Sequence, residues 1–579
     1  MEMKRRIEII LVIGIICMTI LFIRLMQIQI VATESFGNRK INLIARSIMQ
    51  RTQTVVIDDG RGRFVDRNGE LLNDEYVSAL IVFPFLQITE ENEEQIARII
   101  GKQIKLNRVD EPTIIKFHKK PLQLTKDEMD QINNLRIPGL IAASIKRTRD
   151  TPLAAHLIGI TGENEQQVIK KYGEKIPSMT KIGVSGLQRV FDEFLITDGE
   201  EKMMYHVDQR GEPLFGNEVK YTSIGNPFYP ISVVTTIDKG LQQAAENIVD
   251  RYPLAKGGLV LLDIKTNEIL AMVSKPSLQT KNKWGYQKSA TNEMLTSHFP
   301  GSVFKTVIAA AALDSNVNLL SRKFDCNRDP YGESMAQQPM GTLSFHESFA
   351  RSCNRAFAEL TEELIEEDEN VVETYAKALG VMGTVGWQGS FFHNPSFRQL
   401  AEEKATVIWN NKGDKFSHKA TDQTAIGQKN VRLSPLAIAN MMATIARDGE
   451  KREVKAVKEI LYKNGMPLYR FEEHELKGER VGRAAIRELQ QLLREVVTSK
   501  KGTGAVYNKL PLTVAGKSGT AQTGKGNRVN RWFAGYFPYE TPRYVLVVTE
   551  LETDGEWNLV TPIFTDVVTE ITKWEVGKE

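Results

Sequence analysis

Three short strings, far apart and in fixed order, carry side chains suited to acyl transfer: Ser302-Val303-Phe304-Lys305, then Ser352-Cys353-Asn354, then Lys517-Ser518-Gly519-Thr520. A serine hydroxyl is a poor nucleophile until a base takes its proton. Residues three apart on a helix share a face, so the Lys305 amine can reach Ser302. Burial beside apolar side chains and other cations lowers a lysine pKa and frees the lone pair a base needs. The unpaired N–H groups of a helix start, with their partial positive charge, favour a developing oxyanion. Context selects this Ser-x-x-Lys: Pro300-Gly301 precedes it and the apolar run Thr306 to Leu313 follows, predicting a buried helix with Ser302 in its first turn. Ser178-Met179-Thr180-Lys181 has the same spelling without such a run.

The third string supplies what the first lacks. Leu512 to Ala521 reads as a strand whose glycines allow a ligand backbone to approach closely. Its lysine and two hydroxyls suit a substrate carboxylate, and a strand N–H can complete an oxyanion hole.

These residues need a frame. Gly257 to Asp263 and Glu268 to Val273 predict a hairpin across Thr266-Asn267, with Trp532 to Phe537 and Tyr544 to Thr549 as later strands. Phe564, Val567, Val568, Ile571 and Trp574 form a helical stripe. Short connections between the last three strands favour an antiparallel sheet. Helices between Ser302 and Leu493 then make a second, all-helical lobe, with the site in the cleft between lobe and sheet. Upstream, Leu80 to Phe83 reads as a strand. Thr89 caps a helix with Glu90 and Glu91 in its first turn, and Thr125 to Glu128 is a capping box. The fold class is therefore α+β. The expected order is a tail at 1–6, a transmembrane anchor at 7–31, an α+β pedestal at 45–225, a linker within 215–227 and a catalytic domain at 230–576.

The anchor follows from Lys4-Arg5-Arg6 ahead of the apolar run Ile9 to Ile23, which continues past Arg24 to Val31 without a convincing cleavage site. About 20 residues cross a bilayer, and basic residues before the span stay inside, so the rest of the chain is expected outside. Lys+Arg 75 against Asp+Glu 72, net +3, is too balanced for a nucleic-acid partner. Three cysteines give no disulfide framework; Cys326 and Cys353 are expected as small buried hydrophobes rather than a bridge, and Cys17 lies in the anchor.

The ordered motifs resemble the penicilloyl serine transferase superfamily, whose Ser-x-x-Lys, Ser-x-Asn and Lys-Thr/Ser-Gly set they match. Gly60-Arg61-Gly62-Arg63-Phe64-Val65-Asp66-Arg67-Asn68-Gly69, Gly183 to Gln188, Thr235-Thr236-Ile237-Asp238, Ala425-Ile426-Gly427-Gln428, Ser434-Pro435-Leu436 and Lys517 to Gln522 narrow the resemblance to class B penicillin-binding proteins. It departs at Gln188, where Glu is usual, at Asn267 in place of Gly, and at Cys353. The resemblance implies a central five-stranded antiparallel sheet and a serine D,D-transpeptidase that cross-links peptidoglycan stem peptides and is inhibited covalently by β-lactams. It implies catalytic roles for Ser302, Lys305, Ser352, Asn354 and Lys517, and substrate binding by Ser518, Gly519, Thr520 and Gln522. The oxyanion hole is then formed by the backbone N–H groups of Ser302 and Thr520. No metal or other cofactor is expected. The implied partners are stem peptides, the lipid bilayer and a membrane-embedded glycosyltransferase, since no glycosyltransferase signature precedes residue 230. The alternative is a β-lactam sensor or structural divisome or sporulation partner that is acylated with little turnover.

Other features read as structural. The acidic run Glu362 to Glu369 predicts a solvated helix face, and His298 and His346 fit no zinc spacing. Trp532 and Tyr536 are expected in core or groove wall.

Overall fold

The computed structural model describes residues 2–34, 42–117, 120–149, 152–173, 176, 180–197, 199–208, 213–214, 219–278, 291–315, 319, 321–476 and 478–577. Ser178 and Met179, and residues 215–218 of the expected linker, lie outside them. The chain forms two compact units. One comprises Met1–Gly60, Glu75–Arg147 and Asp198–Pro227, the other Arg61–Asp74, Thr148–Thr197 and Phe228–Glu579.

The first unit begins with helix α1 (Glu2–Met26), continued by a π turn over Gln27–Val31. Met3–Val31, whose apolar 18-residue window has mean hydropathy 2.8, is long and apolar enough to cross a membrane. Strand Thr52–Asp58 pairs antiparallel with Glu201–His206, and Asp74–Val82 lies between Thr113–Ile114 and Leu140–Thr148. Helices Glu90–Ile100 and Lys126–Asn134 pack Ile96, Ile100 and Ile132 against Leu80, Val82 and Leu140. Both helix caps form as expected, and the Thr89 cap also closes as a box, with Asn92. Thr89 Oγ1 accepts from the Asn92 N–H and Thr125 Oγ1 from the Glu128 N–H, satisfying helix-start N–H groups that have no partner within the helix.

The second unit holds the five-stranded sheet, built from β1 (Gly257–Asp263), β2 (Ile269–Lys275), β3 (Ala515–Gln522), β4 (Val529–Phe537) and β5 (Tyr544–Thr553), in the order β2-β1-β5-β4-β3. Every neighbouring pair is antiparallel, and β3 is an edge strand. β5 is apolar at successive positions because both faces are covered: Leu546 and Val548 join a core with α2 (Lys239–Asp250) and a C-terminal helix, Val560–Val576, while Val545 and Val547 join the larger core. Full burial of such a side chain contributes roughly 1.5–3 kcal/mol.

On that larger-core side lie α3 (Lys305–Asp314), α4 (Phe345–Ala350), α5 (Asn354–Glu367), α6 (His418–Ala425), α7 (Pro435–Ala446) and α8 (Arg483–Thr498). α3 is buried from Lys305 to Ala312, and its alanines let neighbouring helices close around it. Ser302 does not lie in the first α-helical turn. It sits on a 3-10 turn, Gly301–Val303, and α3 starts at Lys305.

Two departures from the family pattern have a physical account. Asn267 replaces Gly at a left-handed turn position (φ 56°), which Asn tolerates better than most residues, and its Nδ2 donates to Asn440 Oδ1 at 2.8 Å. Gln188 Oε1 accepts from Arg61 at 3.1 and 2.8 Å, and the opposing charge comes from buried Asp192, 2.8 Å from Arg61.

Candidate active site

Three segments meet at the Ser302 turn because three glycines leave room. Gly301 has φ 55°, and a Cβ on it would stand 2.4 Å from the Thr520 carbonyl oxygen; one on Gly519 would stand 2.6 Å from Pro300 O, and one on Gly427 2.1 Å from Gly301 O. The Gly301 N–H donates to Gly427 O at 3.0 Å. Phe299, two residues before Gly301, is held too: Trp532 Nε1 on β4 donates to Phe299 O at 3.0 Å, and the Arg432 guanidinium lies 3.8 Å from the Phe299 ring centre. The nucleophile candidate is thus presented by backbone wedged between the edge strand and the loop after α6.

Lys305 and the second string form the helical side of the site. Lys305 is fully buried, and its Nζ donates to Ser352 O at 2.8 Å, Ser352 Oγ at 3.2 Å and Asn354 Oδ1 at 2.6 Å, while lying 5.5 Å from the Phe357 ring centre. Ser302 Oγ is not among these partners, so the contact expected from the spacing is not made here; active-site hydrogen bonds often tighten only when substrate is present. Burial, then the charge of Lys517, pushes the Lys305 amine well below the ordinary lysine value. A neutral amine has two N–H bonds, enough for Ser352 O and Asn354 Oδ1, and its lone pair remains for a hydroxyl.

The third string lies on β3. Lys517, Gly519 and Ala521 are buried, whereas Ser518, Thr520 and Gln522 alternate with them on the more open face, as a strand requires. Burial lowers Lys517 to about 7, and its Nζ lies 5.6 Å from the Phe349 ring centre on α4. Ser518 Oγ donates to Thr503 Oγ1 at 2.7 Å, and the Thr503 N–H donates to Ala350 O at 3.0 Å. Thr503 ties the strand to the end of α4, close to Ser352; sequence reasoning missed it because nothing local marks that contact.

Cys326 and Cys353 are joined, with Cα atoms 5.8 Å apart, correcting the expectation of two separate thiols. Both are buried as expected. Lys323–Asp325 and Thr342–Ser344 pair as a hairpin that returns the chain to the start of α5, and a sequence separation of 27 does not reveal this.

The remaining features are structural. His298 pairs with Glu293 at 3.1 Å and His346 with Glu488 and Glu495 at 2.8 and 2.9 Å. Trp532 and Tyr536 are buried. The acidic run ends α5. It does have a histidine neighbour, His418, 3.3 Å from Glu362, but no group of three or more among the described residues could hold a metal.

Comparison with known proteins agrees with this architecture. Residues 257–569 match the penicillin binding protein transpeptidase domain and residues 56–227 the penicillin-binding protein dimerisation domain. The chain is similar to the peptidoglycan D,D-transpeptidase PbpA of Mycobacterium tuberculosis (27% identity, 60% of this chain and 72% of that protein). It is also similar to the peptidoglycan D,D-transpeptidase MrdA of Haemophilus influenzae (24% identity, 94% and 87%). In fold it resembles a chain solved in work on a peptidoglycan synthase complex (TM-score 0.65, 23% identity, 97% of both chains) and penicillin binding protein 2X of Streptococcus thermophilus (TM-score 0.60, 19% identity, 91% and 80%). With the transpeptidase domain covering more than half of its length and a dimerisation domain before it, the chain belongs to the class B penicillin-binding protein transpeptidases.

Proposed function

We propose that the chain is a serine D,D-transpeptidase of peptidoglycan synthesis, working through an acyl-enzyme on Ser302. The observation that carries this reading is Lys305: a buried lysine with a lowered pKa, three residues after Ser302, held by Ser352 and Asn354 and facing a second buried lysine on the edge strand. Lys305 takes the Ser302 proton as Oγ attacks the carbonyl of the penultimate D-Ala. The N–H groups of Ser302 and Thr520 stabilise the tetrahedral oxyanion, and the terminal D-Ala leaves as its nitrogen takes up a proton. An amine on a neighbouring strand then attacks the ester and restores the Ser302 hydroxyl. Lys517, Ser518 and Thr520, with Gln522 further along the strand, receive the donor carboxylate. β-lactams acylate the same serine.

The apolar Met3–Val31 helix serves as a single-pass anchor with the basic N-terminus inside and the catalytic domain extracytoplasmic. The domains follow the boundaries 1–6, 7–31, 45–225 and 230–576. Strand polymerisation falls to a membrane-embedded glycosyltransferase partner. The finer assignment, to penicillin-binding protein 4B of the bacillus type, rests on the motifs from Gly60 to Gln522 alone. The test is turnover: a stem-peptide thioester donor with an added amine acceptor should give the cross-linked amide, lost in Ser302→Ala. An enzyme that binds penicillin but forms neither amide nor hydrolysed donor would be a sensor or structural partner instead.

A further inference from the structure

The second motif is fastened on both sides to one loop, an arrangement the acyl-transfer scheme does not use. The hairpin of Lys323–Asp325 and Thr342–Ser344 closes a loop over residues 326–341, rooted by the Cys326–Cys353 bridge. Arg351 Nη1 donates to Met340 O at 3.0 Å and Arg355 Nη1 to Pro330 O at 3.0 Å. Residues 351, 353 and 355 therefore hold the loop, and the residues between them, Ser352 and Asn354, hold Lys305.

Ser352 sits at φ 62°, a left-handed conformation that a serine keeps only where its surroundings over-determine it. The hydrogen bonds from Ser352 N–H to Phe349 O (3.2 Å) and Cys353 N–H to Ser348 O (2.8 Å) define this turn. The bridge fixes the next residue covalently, with both cysteines almost fully buried.

We propose that the Cys326–Cys353 bridge, with Arg351 and Arg355 beside it, is a positioning element of the acyl-transfer site. It keeps the Ser352 carbonyl and the Asn354 amide oxygen on the Lys305 amine, so that severing it slows the acylation step without weakening the encounter complex. The inference rests on Ser302 being the acylated residue. The test uses the full chain in detergent, purified oxidised, and compares the wild type with the double variants Cys326→Ser/Cys353→Ser and Cys326→Ala/Cys353→Ala and with Arg351→Leu, which leaves the bridge intact.

Stopped-flow acylation by a fluorescent penicillin separates the non-covalent Kd from the acylation rate constant, and titration gives the active fraction. The expected result for the double variants is an acylation rate constant about ten- to hundredfold lower, as for a reacting group displaced by a fraction of an ångström to an ångström. Kd should stay within about twofold and the active fraction should be unchanged. Arg351→Leu should lose about two- to fivefold in the same constant, which keeps the test decisive should the double variants fail to fold. Wild-type rate constants in the variants overturn the proposal. So does a loss seen only as fewer active molecules reacting at the wild-type rate, or oxidised protein whose two cysteines both alkylate as free thiols. A wild type that acquires no adduct on Ser302 instead overturns the underlying reading, and this inference with it.

Discussion

Replacing Gly427 by alanine should disable the nucleophile without touching a group that does chemistry. Gly427 has φ 71°, and an added Cβ would stand 2.1 Å from Gly301 O and 2.7 Å from Gly301 C, where ordinary contact begins at 3.4 Å. The obstructing atoms are backbone and cannot rotate away. The Gly301 peptide must move by more than an ångström, and Ser302 is the next residue. A misplacement of about 1 Å at a reacting centre costs about a hundredfold in rate. The left-handed backbone itself costs about 1–2 kcal/mol for a non-glycine residue, and Gly465→Ala isolates that part, since Gly465 has φ 82° and nothing within 4 Å of its would-be Cβ. Gly465→Ala should lose about 1–2 kcal/mol of stability by thermal unfolding, and Gly427→Ala more than that, because its Cβ also forces the Gly301 backbone aside. Only Gly427→Ala should lose acylation by a fluorescent penicillin, about a hundredfold relative to Gly465→Ala. If the two variants acylate within about threefold of each other, the glycine contact does not position Ser302 and this part of the account is wrong.

Lys305→Arg retains a charge but replaces a tunable amine with a guanidinium that does not deprotonate, so acylation should fall by orders of magnitude; near-normal rates in a stopped-flow assay would place the base elsewhere. Thr520→Val should slow acylation by donors with a free carboxylate roughly ten- to hundredfold, the cost of one charge-assisted hydrogen bond, and leave amidated donors unaffected. Equal slowing of both would separate Thr520 from the carboxylate. Burial lowers Lys517 to about 7, so in the free site its charge is present below that pH and lost above it. Carboxylate donors should accordingly bind more weakly as pH rises through neutrality and take up a proton on binding, measurable by calorimetry in buffers of different ionisation enthalpy. Identical pH slopes for acid and amidated donors would show that Lys517 does not meet the carboxylate.

What could be read from the sequence was mostly what is encoded locally. Thr89 and Thr125 cap helices because the cap and its partner are three residues apart. The buried run after Lys305 marks α3, and strands β4 and β5 follow from their composition. The same local logic overextended α3 to Ser302, because helix propensity cannot register the Gly427 and Thr520 backbones pressing on Gly301 from residues more than 120 positions away. The Cys326–Cys353 bridge and the Ser518–Thr503 hydrogen bond were hidden for the same reason: each depends on a chain return that spacing does not describe. Lys305 shows both sides. Its candidacy as base was legible from its spacing to Ser302 along the chain, but the acceptors that hold its amine, Ser352 and Asn354, are brought to it only by the packing of α5 beside α3.

Whether Ser302 is the acylated nucleophile can be read by peptide mapping with mass spectrometry. After reaction with a labelled penicillin, and separately with a stem-peptide thioester, the adduct should lie on the peptide containing Ser302 alone. Added amine should release the stem-peptide adduct, and Ser302→Ala should fold yet remain unlabelled. An adduct on Ser178, Ser352 or any other serine, or labelling that persists in Ser302→Ala, would contradict the account.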